Sequence, residues 1–147
     1  MKISTKGRYA LRLMLDLAIN QTSGYIPLKA VAQRQEISDK YLEQIIHQLS
    51  KNGFVLSARG AQGGYRLARL PEEYTVGEIL RTVEGSLAPV SCLDCSTPCD
   101  KIDSCITIGL YKKIQNAIDG IVDHTTLADM INDFQRKQAA AKKSGSV

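Results

Sequence analysis

Four cysteines are the residues of this chain best suited to chemistry, and all four lie in one short segment. Cys92, Cys95, Cys99 and Cys105 have the spacing C-x2-C-x3-C-x5-C. Clustered thiols in a chain that we expect to be cytoplasmic indicate metal or redox chemistry rather than a disulfide framework. The spacing differs from that of structural zinc sites and of bacterial ferredoxins. We predict a metal or iron–sulfur site here, with zinc, a thiol/disulfide switch and idle cysteines as the alternatives.

The remaining polar residues form no catalytic constellation. His47 and His124 have no carboxylate partner nearby in sequence. The glycine-rich run at 60–64 lacks the lysine and the following helix of a phosphate-binding loop. We therefore expect that the protein is not an enzyme. The alternative among enzymes is a redox enzyme that uses the thiols for electron transfer.

Charge is distributed unevenly along the 147 residues, whose formal net charge is +4. Residues 1–70 carry 11 Lys and Arg against 4 Asp and Glu, whereas residues 71–147 carry 8 against 11. A basic first half favours contact with a polyanion in that half alone. Because there is neither a long apolar run nor a signal peptide, we expect a cytoplasmic protein with no membrane partner.

The hydrophobic pattern of the first half predicts a helix-turn-helix followed by a β-hairpin. Helical spacing covers residues 5–18 and 28–33, and Ser38 is a good N-cap for a third helix that ends near Lys51. A short helix, a tight turn and a capped helix form the helix-turn-helix arrangement. Two short strands follow at 54–57 and 65–67, with Arg59 in the turn between them. A hairpin in this position is the wing of a winged helix, whose arginine can reach a minor groove.

The third predicted helix has a polar face suited to reading DNA. Gln44 can pair with adenine, and Glu43 can accept a hydrogen bond from a cytosine amine. Lys6 and Arg8, near the N-terminus, are candidates for contacts with phosphates. We therefore predict a double-stranded DNA operator as the partner of this half.

The second half is expected to provide a cysteine loop and a dimerisation surface. Thr75 and Glu78 form a capping box that begins a fourth helix at 76–84. A long helix then starts near Cys105, and its apolar stripe is most simply covered by a second copy of the chain. The fold class is mainly α with a small β-hairpin wing. We expect a winged helix-turn-helix domain at 1–84, a cysteine-rich loop at 85–104, a dimerisation helix with a C-terminal helix at 105–134, and a disordered tail at 135–147.

Several motifs together closely resemble the IscR/NsrR/CymR family of winged-helix regulators. They are MKISTKGRYA at 1–10, YLEQ at 41–44, RGxxGGY at 59–65 and TLAD at 126–129. The resemblance covers nearly the whole chain and implies a homodimer with a long crossing helix, bound to a partly palindromic operator. It also implies that Tyr41, Glu43 and Gln44 lie at the major groove and that Arg59 enters the minor groove. The predicted DNA-binding residues are Lys6, Arg8, Ser38, Lys40, Tyr41, Glu43, Gln44 and Arg59.

The same resemblance implies a cluster on the cysteines. Cluster-binding members carry three cysteines before the dimerisation helix, and Cys92, Cys99 and Cys105 match them. Members that control iron–sulfur biogenesis complete a 2Fe–2S site with a histidine where this chain has Ile108. Nitric-oxide-sensing members use an acidic residue near the partner's N-terminus, where this chain offers Arg8. Cys95 is therefore the candidate fourth ligand. Four thiolates suit 2Fe–2S or 4Fe–4S, and of the two we expect 2Fe–2S.

These observations predict a homodimeric transcriptional repressor whose operator affinity is controlled by an iron–sulfur cluster. Its targets would be genes of iron–sulfur cluster biogenesis, or of cysteine or redox stress. Ordering of the cysteine loop would fix how the two winged helices sit across the dimer axis, with a coupling of about 1–3 kcal/mol. The nearest alternative is a winged-helix regulator that uses its cysteines as a thiol/disulfide or zinc switch. Members of the family that control cysteine metabolism lack the cysteine cluster, and this chain differs from them in that respect.

Overall fold

The computed structural model of the chain describes residues 2–21, 24–94 and 99–145. Within these ranges the protein is mainly helical with one two-stranded antiparallel hairpin, which confirms the predicted fold class. Three short 3-10 turns, at Pro71–Glu73, Ser91–Leu93 and Ile102–Ser104, lie between the longer elements. The longer elements are α1 (Thr5–Asn20), α2 (Leu28–Gln35), α3 (Asp39–Lys51), β1 (Val55–Ala58), β2 (Gly64–Leu67), α4 (Val76–Glu84), α5 (Ile108–Val122) and α6 (Leu127–Gly145).

Helix α1 is the centre of the hydrophobic core. Its residues Ala10, Leu13, Met14 and Leu17 are completely buried, and their spacing of three and four places them along one side of the helix. Helices α2, α3, α4 and α6 and strand β2 all pack against α1. The N-terminal half therefore folds around one long apolar stripe, which holds α3 and the hairpin in fixed positions.

The turn between α2 and α3 is fixed by the backbone and by an ion pair whose carboxylate is buried. Glu36 ends α2 in the left-handed region at φ 55°, and the Ile37 amide returns to the Ala32 carbonyl at 3.1 Å. Asp16 of α1 is buried and accepts hydrogen bonds from the Arg34 guanidinium, the shortest at 2.7 Å. Because a buried carboxylate needs such donors, this pair fastens the end of α2 to α1.

The hairpin is joined to the helical core at its base. Strand β1 pairs with β2 in the register Val55 to Leu67 and Ala58 to Gly64. Ile26 extends this pairing through two backbone hydrogen bonds of 2.8 Å to Tyr65. Gly64 has φ 148°, and a Cβ there would collide with the Ile26 carbonyl, so only glycine fits this position.

Helices α4 and α6 begin side by side. The predicted capping box of Thr75 and Glu78 is present, and α4 covers the predicted residues. The Val76 amide bonds to the Thr125 carbonyl at 2.8 Å, and the Leu127 amide bonds to the Tyr74 carbonyl at 3.1 Å. These bonds attach the start of α6 to the winged domain, although the two helices are far apart in sequence.

Two boundaries in the second half differ from the predictions. Helix α5 begins at Ile108, not near Cys105, because a 3-10 turn ends at Ser104 and Cys105 itself is extended. The expected disordered tail is instead helical as far as Gly145. Its Ala, Lys and Gln residues are strong helix formers, so α6 continues without an apolar face to bury. None of the helices in the described ranges is long and apolar enough to cross a membrane.

Candidate nucleic-acid interface and cysteine segment

Helix α3 presents one buried and one polar face, as the sequence predicts. Its side chains Leu42, Ile45, Ile46 and Leu49 are no more than 2% exposed. The Ser38 hydroxyl caps the helix by accepting a hydrogen bond from the Tyr41 amide at 3.2 Å. The polar face is exposed, and four of its side chains border one shallow depression. These are Lys40, Glu43, Gln44 and His47.

Tyr41 differs from its neighbours on α3 because it is half-buried. Its ring meets the Tyr9 ring of α1 edge to face, with centroids 5.5 Å apart. The Arg12 guanidinium lies 5.3 Å from the centroid of the Tyr9 ring. Tyr41 therefore also packs the first turn of α3 against α1, a contact that the motif alone does not indicate.

The wing carries Arg59 at its exposed tip. The Gly63 amide closes the turn by donating to the Gly60 carbonyl at 3.0 Å. A Cβ on Gly63 would collide with the Ala58 carbonyl, so this position of the turn requires glycine. The tip projects from a hairpin whose base is held by the buried Tyr74 hydroxyl.

Lys6 and Arg8 lie in the first two turns of α1. The Arg8 guanidinium donates to the Thr5 hydroxyl at 2.9 Å. Ser4 caps α1 and donates from its amide to the Glu84 carboxylate at 3.0 Å, with a second, shorter bond from its hydroxyl. This end of α1 is thus tied to the end of α4, where the chain enters residues 85–105, which we name the cysteine segment.

The cysteine segment contains three free, partly exposed thiols in the described residues. They belong to Cys92, in the 3-10 turn Ser91–Leu93, and to Cys99 and Cys105. The fourth predicted ligand, Cys95, lies outside the described residues. Within residues 2–21, 24–94 and 99–145, no three Cys, His, Asp or Glu side chains are gathered as a metal site. The thiols fit a soft metal centre by their chemistry, but the described backbone does not bring them together.

The Cys105 thiol has hydrogen-bond partners that favour its ionised form. Its sulfur lies 3.3 Å from the Thr107 hydroxyl oxygen. Hydrogen bonding from the Thr107 hydroxyl lowers the pKa of Cys105, assisted by the amides of Thr107 and Ile108. The cause lies at the start of α5, where Thr107 directs its hydroxyl toward the sulfur.

Comparison with known proteins decides the family. The family described as "Rrf2: Iron-dependent Transcriptional regulator" matches residues 3–133. The chain belongs to the Rrf2 family. It is a transcriptional regulator of the CymR and IscR type and not an enzyme. This confirms the resemblance drawn from the sequence motifs.

Two kinds of Rrf2 relative are about equally similar. CymR of Bacillus subtilis is 39% identical over 140 residues, which are 95% of this chain and 96% of CymR. IscR of Cronobacter sakazakii is 38% identical over 133 residues, which are 90% of this chain and 82% of IscR. The T. potens IscR structure has a TM-score of 0.75 at 40% identity and covers 94% of this chain and 91% of its own. A solved structure of CymR, described as the global cysteine regulator of B. subtilis, has a TM-score of 0.73. The match covers 88% of this chain and 95% of the CymR chain.

In this Rrf2 chain, α5 has a strongly apolar exposed face. None of its residues is buried, and Leu110, Ile114 and Ile121 are 58%, 39% and 67% exposed. Ile106, just before the helix, is fully exposed. Ile118, on the same helix, is partly buried and packs on the domain against a small cluster that includes Leu80.

Arg81 joins α4 to α5 and was not singled out from the sequence. Its guanidinium bonds to Asp119 at 2.7 Å and to Asp123 in a shorter contact, and these bonds raise the pKa of Arg81. Gln115 supports Asp119 with a 2.8 Å hydrogen bond. Arg81 and Asp119 also line a cleft with Leu93, the residue after Cys92. The i, i+4 spacing of the two aspartates on an apolar helix was the available signal for a cation partner.

Proposed function

We propose that this Rrf2 chain is a sequence-specific DNA-binding repressor whose α3 reads the major groove and whose wing tip reaches the minor groove. The observation that carries the proposal is the exposed polar face of α3, which has a rigid buried face behind it and the Arg59 tip beyond it. Glu43 and Gln44 read base edges, and Lys40 and Arg59 contact the DNA beside them. Lys6, Arg8, Ser38 and Tyr41 complete the proposed contact set.

The functional unit is a homodimer that binds a two-fold operator. The exposed apolar face of α5 supports this, because a soluble regulator gains free energy when a second copy covers such a face. Since transcriptional regulators act on the chromosome, we assign the dimer to the cytoplasm. The test is sedimentation of Ile114→Glu, which should be monomeric at concentrations at which the parent protein is a dimer. The exposed change Asn116→Glu is the control on the same helix.

An iron–sulfur cluster on the cysteine segment is the proposed control element. Cys92, Cys99 and Cys105 would be three of its ligands and Cys95 the fourth, in a 2Fe–2S site in preference to 4Fe–4S. The donor chemistry supports this, because the three described cysteines are free and the pKa of Cys105 is lowered. When bound, such a cluster would cross-link the cysteines, and oxidants or a shortage of iron would break that cross-link. Holding it requires the segment to draw together from its described positions.

The route from the segment to the DNA is proposed to pass through Arg81. Leu93 and Asp119 line one cleft with Arg81, so a change in the segment bears directly on the junction of α4 and α5. Helix α4 packs against both α1 and α3, which fixes the orientation of the winged domain. The genes that this regulator controls are proposed to be those of iron–sulfur cluster biogenesis, or of cysteine or redox stress.

A thiol switch is the second candidate, and one observation favours it. Cys105 is a partly exposed thiol with a lowered pKa, and such thiolates are nucleophilic toward disulfides and oxidants. CymR, described as the global cysteine regulator of B. subtilis, is about as similar to this chain as IscR is, so the comparisons favour neither candidate over the other. Zinc binding belongs to the same alternative.

Anaerobic reconstitution with iron and sulfide separates these candidates. The cluster proposal predicts broad visible absorption with stoichiometric iron and sulfide in the parent protein, and weakened absorption in Cys95→Ser. The matched control is Ser91→Ala, which leaves all four thiols in place. A parent protein that takes up no iron but forms a reversible disulfide supports the thiol switch instead. DNA binding is tested separately, by selecting duplexes from a random pool with the parent protein.

A further inference from the structure

The last part of α6 carries a concentration of positive charge that the function described above does not use. Residues 71–134 contain 4 Lys and Arg against 11 Asp and Glu, whereas residues 135–147 contain 4 basic residues and no acidic one. We name residues 135–145 the basic arm. The arm is helical and exposed throughout, so its charge is on the surface. Its basic residues are Arg136, Lys137, Lys142 and Lys143.

The arm starts beside the helix-turn-helix. Phe134, the residue before it, lines a groove together with Arg12 and Ile19 of α1 and Gln35 at the end of α2. Gln35 is held by Arg12, whose Nε donates to the Gln35 side chain at 3.1 Å. Only two residues lie between Gln35 and Ser38, the cap of α3. The arm therefore emerges at the turn that leads into α3 and not at the far side of the domain.

The length of the arm allows it to reach beyond the domain. From Phe134 to Gly145 the helix extends about 16 Å, at about 1.5 Å per residue. A duplex carries a phosphate charge for about every 1.7 Å of its axis, so a rod of this length spans several phosphates. The arm has no apolar face to dock on a protein surface, and its charges lie on a flexible set of long side chains. This combination suits a polyanion whose contacts are electrostatic.

We propose that the basic arm contacts DNA phosphates that flank the bases read by α3. The inference rests on the proposed DNA-binding function and adds a second, sequence-independent contact to it. Because phosphate contacts release counterions, the arm contributes to the salt dependence of binding and adds little to the choice of sequence.

The test compares two variants that each remove two positive charges per chain. Lys137→Gln with Lys142→Gln neutralises part of the arm, and Lys112→Gln with Lys113→Gln removes the same charge from the exposed surface of α5. Glutamine preserves helix propensity, and circular dichroism checks that α6 remains helical. Affinity is measured between 50 and 300 mM salt for a duplex selected by the parent protein and for an unrelated duplex of equal length.

The proposal predicts that the slope of log affinity against log salt falls by about 1.8 per bound chain in the arm variant. The loss should be of similar size on both duplexes, and the α5 variant should keep nearly the parent slope. An arm variant whose slope equals that of the α5 variant overturns the proposal. In that case an acidic protein surface becomes the better candidate partner of the arm. A parent protein that selects no duplex contradicts the DNA-binding function itself, so the two failures are distinguishable.

Discussion

The buried hydroxyl of Tyr74 donates a 2.6 Å hydrogen bond to the carbonyl of Phe54. The same oxygen accepts from the amides of Ala68 and Arg69 at 3.0 and 2.9 Å. One side chain therefore holds both strands of the wing at their base, although it follows the hairpin in sequence. The Arg69 guanidinium covers the Tyr74 ring at 4.3 Å from its centroid.

Tyr74→Phe should loosen the wing as well as lower stability. The change leaves the Arg69 amide without its partner, while the Phe54 carbonyl and the Ala68 amide keep only their 3.2 Å bond to each other. We expect this to cost about 1–3 kcal/mol of unfolding free energy. We expect this loss in urea unfolding, together with faster amide exchange in β1 and β2 than in α1. Tyr111→Phe, on the α5 surface, is the control and should change stability by less than about 0.5 kcal/mol. Equal exchange rates in both variants would contradict the clamp.

Asp16→Asn should destabilise the helix-turn-helix strongly. Asp16 has a side chain that is 1% exposed and accepts hydrogen bonds from Arg34 and Gln35, so in the asparagine variant a buried amide NH2 replaces one of the accepting oxygens. We expect a loss of about 1–3 kcal/mol in urea unfolding, because a buried donor then lacks its acceptor. The matched change Asp133→Asn breaks the ion pair with Arg136, whose side chains are 61% and 77% exposed, and should cost under about 0.5 kcal/mol. Similar losses for the two variants would show that the pair with Arg34 does not anchor α2.

Gln44→Ala should weaken recognition of the selected duplex without changing the fold. Loss of a base-reading side chain costs about 1–3 kcal/mol of binding free energy, which is about 5- to 150-fold in affinity. Binding to an unrelated duplex should be unchanged, because phosphate contacts remain. Gln33→Ala, exposed on α2, is the control. If both duplexes lose affinity equally, Gln44 does not read bases.

Alkylation should report the ionisation of Cys105. In a chain with Cys92, Cys95 and Cys99 changed to serine, the rate of iodoacetamide reaction follows the thiolate fraction. Because hydrogen bonds from Thr107 lower the pKa of Cys105, the half-maximal rate should occur at a lower pH in the folded chain than in urea. Thr107→Val should raise that midpoint toward the unfolded value. A midpoint unaffected by both urea and the valine change would contradict the assigned cause.

The first half of the fold and the start of α4 were predictable because their signals are local. Ser38 and Thr75 are capping residues followed by apolar residues at helical spacing, and both caps are present. The wing followed from two short apolar runs with glycines between them. The hydrogen bonds from Tyr74 that hold the base of the wing could not be predicted. The Tyr74 hydroxyl reaches the Phe54 carbonyl and the Arg69 amide only after the chain has folded.

The second half was predicted less well because its elements depend on long-range contacts. The start of α5 was placed early, since Ile106 extends the apolar pattern although the backbone at Cys105 is extended. The helical end of α6 was missed because exposed Ala and Lys residues carry no amphipathic pattern, only intrinsic propensity. The identity of the cysteine ligands remains a prediction, with Cys95 outside the described residues.

The measurement that most directly tests the central claim is the affinity of one selected duplex for the protein before and after anaerobic reconstitution with iron and sulfide. The account predicts a change of about 5- to 150-fold in the parent protein, corresponding to a coupling of about 1–3 kcal/mol. In Cys92→Ser the change should shrink to less than about twofold. A parent protein that takes up stoichiometric iron and sulfide yet binds the duplex with unaltered affinity would contradict control of DNA binding by the cysteine segment.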